Sequence, residues 1–128
     1  QMRLQAYERL IIFVERMHSN SMISRFYSKD TTAQDLQLAM VQSIRAEFEH
    51  NLSQQIYISH EVWQTIQTVK EQEITMLNRV GSSLPLGATA SEFVKALTEF
   101  VVTDESVLPT SIAIESIHRE AKKALFTA

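Results

Sequence analysis

Glycine and proline, the residues that most readily interrupt regular structure, occur only twice each in 128 residues. A strand-rich fold needs turn residues about every 8–12 positions, and this chain cannot supply them. Long helices joined by few loops are the alternative. At 128 residues and 45% hydrophobic content, the chain has the size and apolar share for one domain around a single core. With no cysteine there is neither a disulfide framework nor a thiolate metal ligand, though this does not identify a redox compartment.

Apolar spacing places the helices. Ala6, Tyr7, Leu10, Val14 and Met17 share a face of a first helix over Leu4 to Met17, widened by Ile11 and Phe13. Residues Ser19 to Asp30 form a connection in which Met22, Ile23, Phe26 and Tyr27 suggest one or two helical turns. Thr31, with Gln34 three residues on, starts a second helix reaching about Gln55. A break at Tyr57-Ile58-Ser59 leaves Ser59 to cap a third helix running to Val80, where Gly81 supplies a left-handed stop. After the loop from Ser82 to Ala88, Thr89-x-x-Glu92 is a capping box for a fourth helix through Phe93, Leu97, Phe100 and Val101. Thr103 to Leu108 reads as a loop, and Pro109 opens a fifth helix marked by Ile114, Ile117, Ala121 and Leu125. The expectation is an all-α antiparallel bundle of about five helices, with the second and third as its main hairpin. Trp63, Tyr7, Phe48, Phe93 and Phe100 fall at core spacing, whereas Leu4 and Ile12 lie on the polar side of the first helix and suggest a partner surface.

The net charge of −3 gives no basic field to attract a nucleic-acid backbone, so nucleic acid is not an expected partner. Residues 1–29 carry five basic side chains against Glu8 and Glu15, a balance of +3, and the remainder is acidic. No apolar run approaches the ~20 residues that span a bilayer. The first residues, Gln1-Met2, lead us to expect a fragment of a longer protein.

Two Glu-x-x-His pairs, Glu47/His50 and Glu115/His118, have the spacing used by carboxylate-bridged di-iron bundles, with Glu8, Glu15, Glu71 and Glu73 as further carboxylates. At ~100° per residue, however, His50 falls roughly 135° from the centre of the second helix's apolar face of Val41, Ile44, Phe48 and Leu52, and Glu115 lies on the far side of the last helix. Solvated faces are therefore expected, with no metal, cofactor or catalytic residue. His18 and His60 stand at helix ends without a second ligand at i+3 or i+4. No Gly-x-Ser-x-Gly turn exposes a nucleophile, and Gly81 to Gly87 lacks the Lys of a phosphate loop.

Polar residues on the apolar faces are the less ordinary feature. Asn51 and Gln55 fall near the centre of the second helix's stripe, and Lys70 and Glu73 near the centre of the third's. A hairpin about Ile58 brings Ser43 and Arg45 level with Lys70 and Glu73. A candidate polar cluster of Arg45, Asn51, Gln55, Lys70 and Glu73 follows, either fixing helix register or holding a ligand.

The block Arg3-Leu4-Gln5-Ala6-Tyr7-Glu8-Arg9-Leu10, with Phe13-x-Glu15-Arg16, and the block from Glu47 to Ser59 resemble an uncharacterised family of short proteins from Bacteroidetes. The resemblance covers nearly the whole chain and implies a membrane-spanning segment just before Arg3. It carries no activity, cofactor or substrate. The expected function is a non-catalytic interaction or scaffold module, with a protein partner, held on the cytoplasmic side of a membrane. The alternative is a bundle that binds a metal through carboxylates and histidines, or a small anion through Arg45, Lys70 and Glu73.

Overall fold

The computed structural model describes residues 2–103 and 108–127. These residues form an all-α bundle: α1 (Met2–Met17), α2 (Ser19–Phe26), α3 (Ala33–His50), a 3-10 turn (Leu52–Tyr57), α4 (His60–Ser82), α5 (Ala90–Thr103) and α6 (Pro109–Thr127). The helical class matches the sequence reading, but there are seven helical elements rather than five. One addition is α2, where the one or two turns expected within the connection form an eight-residue helix. The other arises because α3 stops at His50 instead of Gln55. Most of the expected loop over 103–108 lies outside the described residues.

α4 is the central helix, in contact with α3, α5 and α6. It buries Val62, Trp63, Ile66, Val69, Ile74, Leu77 and Val80, too wide a stripe for one neighbour. α1 lays its buried face of Ala6, Tyr7, Leu10, Phe13, Val14 and Met17 chiefly against α6. Filling a site such as Leu10, Ile66 or Leu77 contributes ~1.5–3 kcal/mol each. The expected α3–α4 hairpin forms, with Gln37 Nε2 donating to Asn78 Oδ1 at 2.9 Å and Lys70 lying over the Phe48 ring. Phe48 also stacks on Trp63 at 5.3 Å and tilts against Phe13 at 6.1 Å, which ties α1, α3 and α4 together.

The starts of α3 and α5 are clasped by a short antiparallel bridge. Ala33 N–H donates to the Ala88 carbonyl at 2.9 Å, and Ala90 N–H to that of Thr31 at 3.0 Å. The loop reaches this clasp through a turn in which Gly87 has a φ of +86°, a left-handed value that glycine adopts without a steric penalty. Thr32, one residue beyond the expected cap, receives the Asp35 N–H at 3.0 Å. Ser59 caps α4 as anticipated, and Thr89 and Glu92 form the capping box of α5.

Three local expectations are corrected. Gly81 is not a left-handed stop but lies within α4, where the Gln37 side chain occupies the space of a β-carbon. Leu52 is exposed, because the tighter 3-10 turn rotates it outward after α3 ends. Leu125 is 58% exposed, because α6 buries Thr110, Ala113 and Ile117 and so turns its face away from Leu125.

Candidate functional site

The five residues of the sequence-derived cluster do not share one site. Arg45 and Gln55 are exposed; the end of α3 at His50 takes Gln55 off the stripe and turns Gln54 inward instead. Asn51 is buried, but its side chain donates to the Glu47 carbonyl at 2.7 Å and so closes the C-terminus of α3. Lys70 pairs with Glu71, not Glu73, at 2.9 Å, and its ammonium lies 4.0 Å from the Phe48 ring centre. Of the five, Glu73 alone remains a candidate for recognising a ligand.

Glu73 is 5% exposed. Its Oε2 is buried and has no hydrogen-bond partner among the described residues. Burial pushes its carboxyl up to about 7, since a charge shielded from water is costly without compensating donors. The side chain lines a cavity of about 800 Å³ bounded by α4, the end of α5, the start of α6 and the α1–α2 joint. Gln67, Thr68, Gln72 and Thr75 form a polar wall, while Met76, Phe100, Val101, Leu108 and Ile112 form an apolar one. Thr110, buried in the first turn of α6, also lines the cavity. His18 and Arg79 lie on its border; His18 Nδ1 accepts the Asn20 N–H at 3.2 Å as the cap of α2, and Arg79 is exposed. The volume lies within the range of small-molecule pockets, and an apolar wall facing a polar one that includes a buried carboxyl is a common way to orient a ligand.

The first Glu-x-x-His pair has a different role. Glu47 ties three helices together: Arg16 Nε donates to one carboxylate oxygen, while the other accepts from Ser43 Oγ at 2.9 Å and lies 3.5 Å from Arg25 Nη1. Arg25 extends the knot by donating to the Arg16 carbonyl at 2.6 Å. Partial burial works to raise the Glu47 pKa, but the donors and charges of Arg16, Ser43 and Arg25 prevail and hold it below the usual carboxylate value. His50 is exposed. Glu115 forms an exposed pair with Arg119 at 2.9 Å, and His118 is exposed as well. Among the described residues, no three His, Asp or Glu side chains converge as a metal-binding group.

Sequence reasoning missed two arrangements that depend on distant partners. One is the Arg16/Arg25/Ser43/Glu47 knot, hinted at only by the i,i+4 spacing of Ser43 and Glu47. The other joins both ends of the chain: Tyr7 donates to Glu120 Oε2 at 3.1 Å, the Ser59 N–H reaches the same oxygen at 3.0 Å, and Arg3 donates to the Tyr7 oxygen at 2.9 Å. Burial is the main cause raising the Tyr7 pKa; Glu120 adds to it and Arg3 opposes it.

These features define an all-α bundle domain with a buried carboxyl group on a cavity wall. The chain belongs to a family of unknown function (DUF7935), whose family model matches residues 1–124. No curated protein and no solved structure matches it. Among the described residues, no helix is long and apolar enough to cross a membrane.

Proposed function

We propose that this domain is a non-catalytic binding module whose working site is the cavity between α4, α5 and α6. The observation that carries this reading is Glu73, buried without a hydrogen-bond partner among the described residues on the wall of an enclosure of about 800 Å³. A carboxyl poised near neutrality meets one requirement of a general base. Among the described residues, however, nothing hydrogen-bonds its buried oxygen, which favours an anchoring role. Fragment screening by NMR on the isotopically labelled domain tests the proposal. Ligands should perturb the resonances of Met76, Val101 and Thr110 together; perturbations confined to other surfaces, or none from a diverse library, count against it.

We also propose that the domain is held on the cytoplasmic side of a membrane by a segment preceding Arg3. The +3 balance of residues 1–29 supports this, because Lys and Arg close to a spanning segment favour the cytoplasmic face. The resemblance of the blocks around Arg3 and Glu47 to tethered Bacteroidetes proteins supports it too. Fractionation of the full-length protein should place it with membranes, and protease added outside spheroplasts should spare this domain. Recovery in the soluble fraction would refute the tether.

A further inference from the structure

We infer that the cavity takes an organic amine, its ammonium seated on the Glu73 carboxylate and its apolar body lying against Met76, Phe100, Val101, Leu108 and Ile112. This inference rests on the binding reading above and specifies the ligand's chemistry. A buried carboxylate without donors recovers the hydration it lost when a charged N–H group reaches it, and such charge-assisted bonds are about twice as strong as neutral ones. Among the described residues, none supplies that cation to the buried oxygen. Lys70, one turn away, is committed to Glu71 and the Phe48 ring. Arg79 is exposed at the border of the cavity, where water screens its charge.

The titratable groups around Glu73 leave this role open. From α4 come Glu71, already paired with Lys70, and Arg79; from the α1–α2 joint comes His18, whose Nδ1 receives a backbone N–H. The described lining residues of α5 and α6, namely Phe100, Val101, Pro109, Thr110 and Ile112, carry no ionisable group. An acid would meet repulsion from an ionised Glu73, and an alcohol would bring a weaker, uncharged donor. An amine must displace the proton that Glu73 holds below about pH 7, so its binding should strengthen with pH across that value.

The test is an NMR titration of the domain with hexylamine, hexanol and hexanoate at pH 8 and pH 6, repeated on Glu73→Gln. Hexylamine should bind the wild type at pH 8 at least tenfold more tightly than the other two probes. Its affinity should fall about tenfold at pH 6, following the loss of the ionised carboxylate, and Glu73→Gln should abolish its advantage. Signal dispersion in the variant's spectrum verifies that it is folded. Equal affinities for the three probes, or hexylamine binding indifferent to Glu73→Gln, would overturn the inference. If hexanol or hexanoate occupies the cavity in place of hexylamine, the amine inference fails while the binding-module reading survives. If none of the three perturbs the cavity resonances at millimolar concentration, the inference also fails, and the fragment screen decides the broader reading.

Discussion

Glu47 and Glu73 are both acids set into helix contacts, and their surroundings treat them in opposite ways. Glu47 has Arg16, Ser43 and Arg25 gathered around it and is held ionised. Glu73 lies deeper, with Oε2 unpartnered among the described residues, and is pushed toward its neutral form. A carboxylate that joins three helices has a structural return for its desolvation. A carboxyl whose buried oxygen finds no partner among the described residues costs stability, and such costs persist in proteins chiefly where function requires them.

The largest expected effect is a gain in stability. Glu73→Leu removes a group whose pKa moves from 4.5 to about 7 on folding. The folded state therefore holds the proton more tightly than the unfolded state, and the resulting penalty grows as pH rises from about 4.5 to 7 and is constant above. Near 1.36 kcal/mol per unit, the full penalty is roughly 3 kcal/mol. Urea melts should find the variant more stable than wild type by up to that amount at pH 8, with the gap closing toward pH 4.5. A destabilised variant at pH 8 would indicate that Glu73 has a bonding partner in solution.

Glu47→Leu should act in the reverse sense. It strands Arg25, whose Nε is already buried without a partner among the described residues, and unties α1 and α2 from α3. Hydrogen bonds to charged groups contribute ~1.5–3 kcal/mol, and since the carboxylate is partly exposed a loss of about 2 kcal/mol is expected. Because the Glu47 pKa is depressed on folding, its contribution is present above the unfolded value and disappears as pH falls through the folded one. Acid titrations of stability should show wild type and variant converging at low pH. Parallel curves would contradict the assigned role.

The contrast between these acids also separates what local pattern predicts from what it does not. Helix periodicity correctly put Glu73 near the centre of a buried stripe, since burial along one helix depends on angle alone. It erred on Gln55 and Leu52, because the change from α-helix to 3-10 turn after His50 alters the angle per residue without a Gly or Pro to mark it. The α1, α4 and α5 faces, and the Ser59 and Thr89 caps, could be read from residues a few positions apart. The Glu47 knot could not, because Arg16 and Arg25 belong to helices whose approach to α3 is set by the whole bundle. For the same reason the cavity beside Glu73 emerged only from the fold.

Lys70 sharpens the comparison further, because it is the nearest cation in sequence to Glu73 and yet leaves it unpaired. Lys70→Met should cost no more than about 1 kcal/mol, the scale of a cation–ring contact together with an ion pair whose acid, Glu71, is exposed, since Met keeps the packing of the mostly buried Lys70 stem. A double-mutant cycle between Lys70→Met and Glu73→Leu should give a coupling below about 0.5 kcal/mol, as expected for residues that share no partner. A coupling of 2 kcal/mol or more would restore the buried ion pair that the sequence suggested.

The smallest expected effects come from the histidines of the two Glu-x-x-His pairs. His50 offers its backbone carbonyl to Arg9 at 3.2 Å, a contact that does not depend on the imidazole. Its side chain and that of His118 are both exposed, so neither ring fills core volume. Replacing either with Ala should change stability by less than about 0.5 kcal/mol, the usual range for surface sites. The result matters because a metal shared between Glu47 and His50 would make His50→Ala as damaging as Glu47→Leu. Melts of both variants, run with and without added zinc, iron(II) or manganese(II), decide the point. Equal losses for Glu47 and His50, together with a metal-dependent rise in wild-type stability, would replace the Arg16 and Arg25 knot with a metal site and erase the distinction between an acid held by its own chain and one left for a ligand.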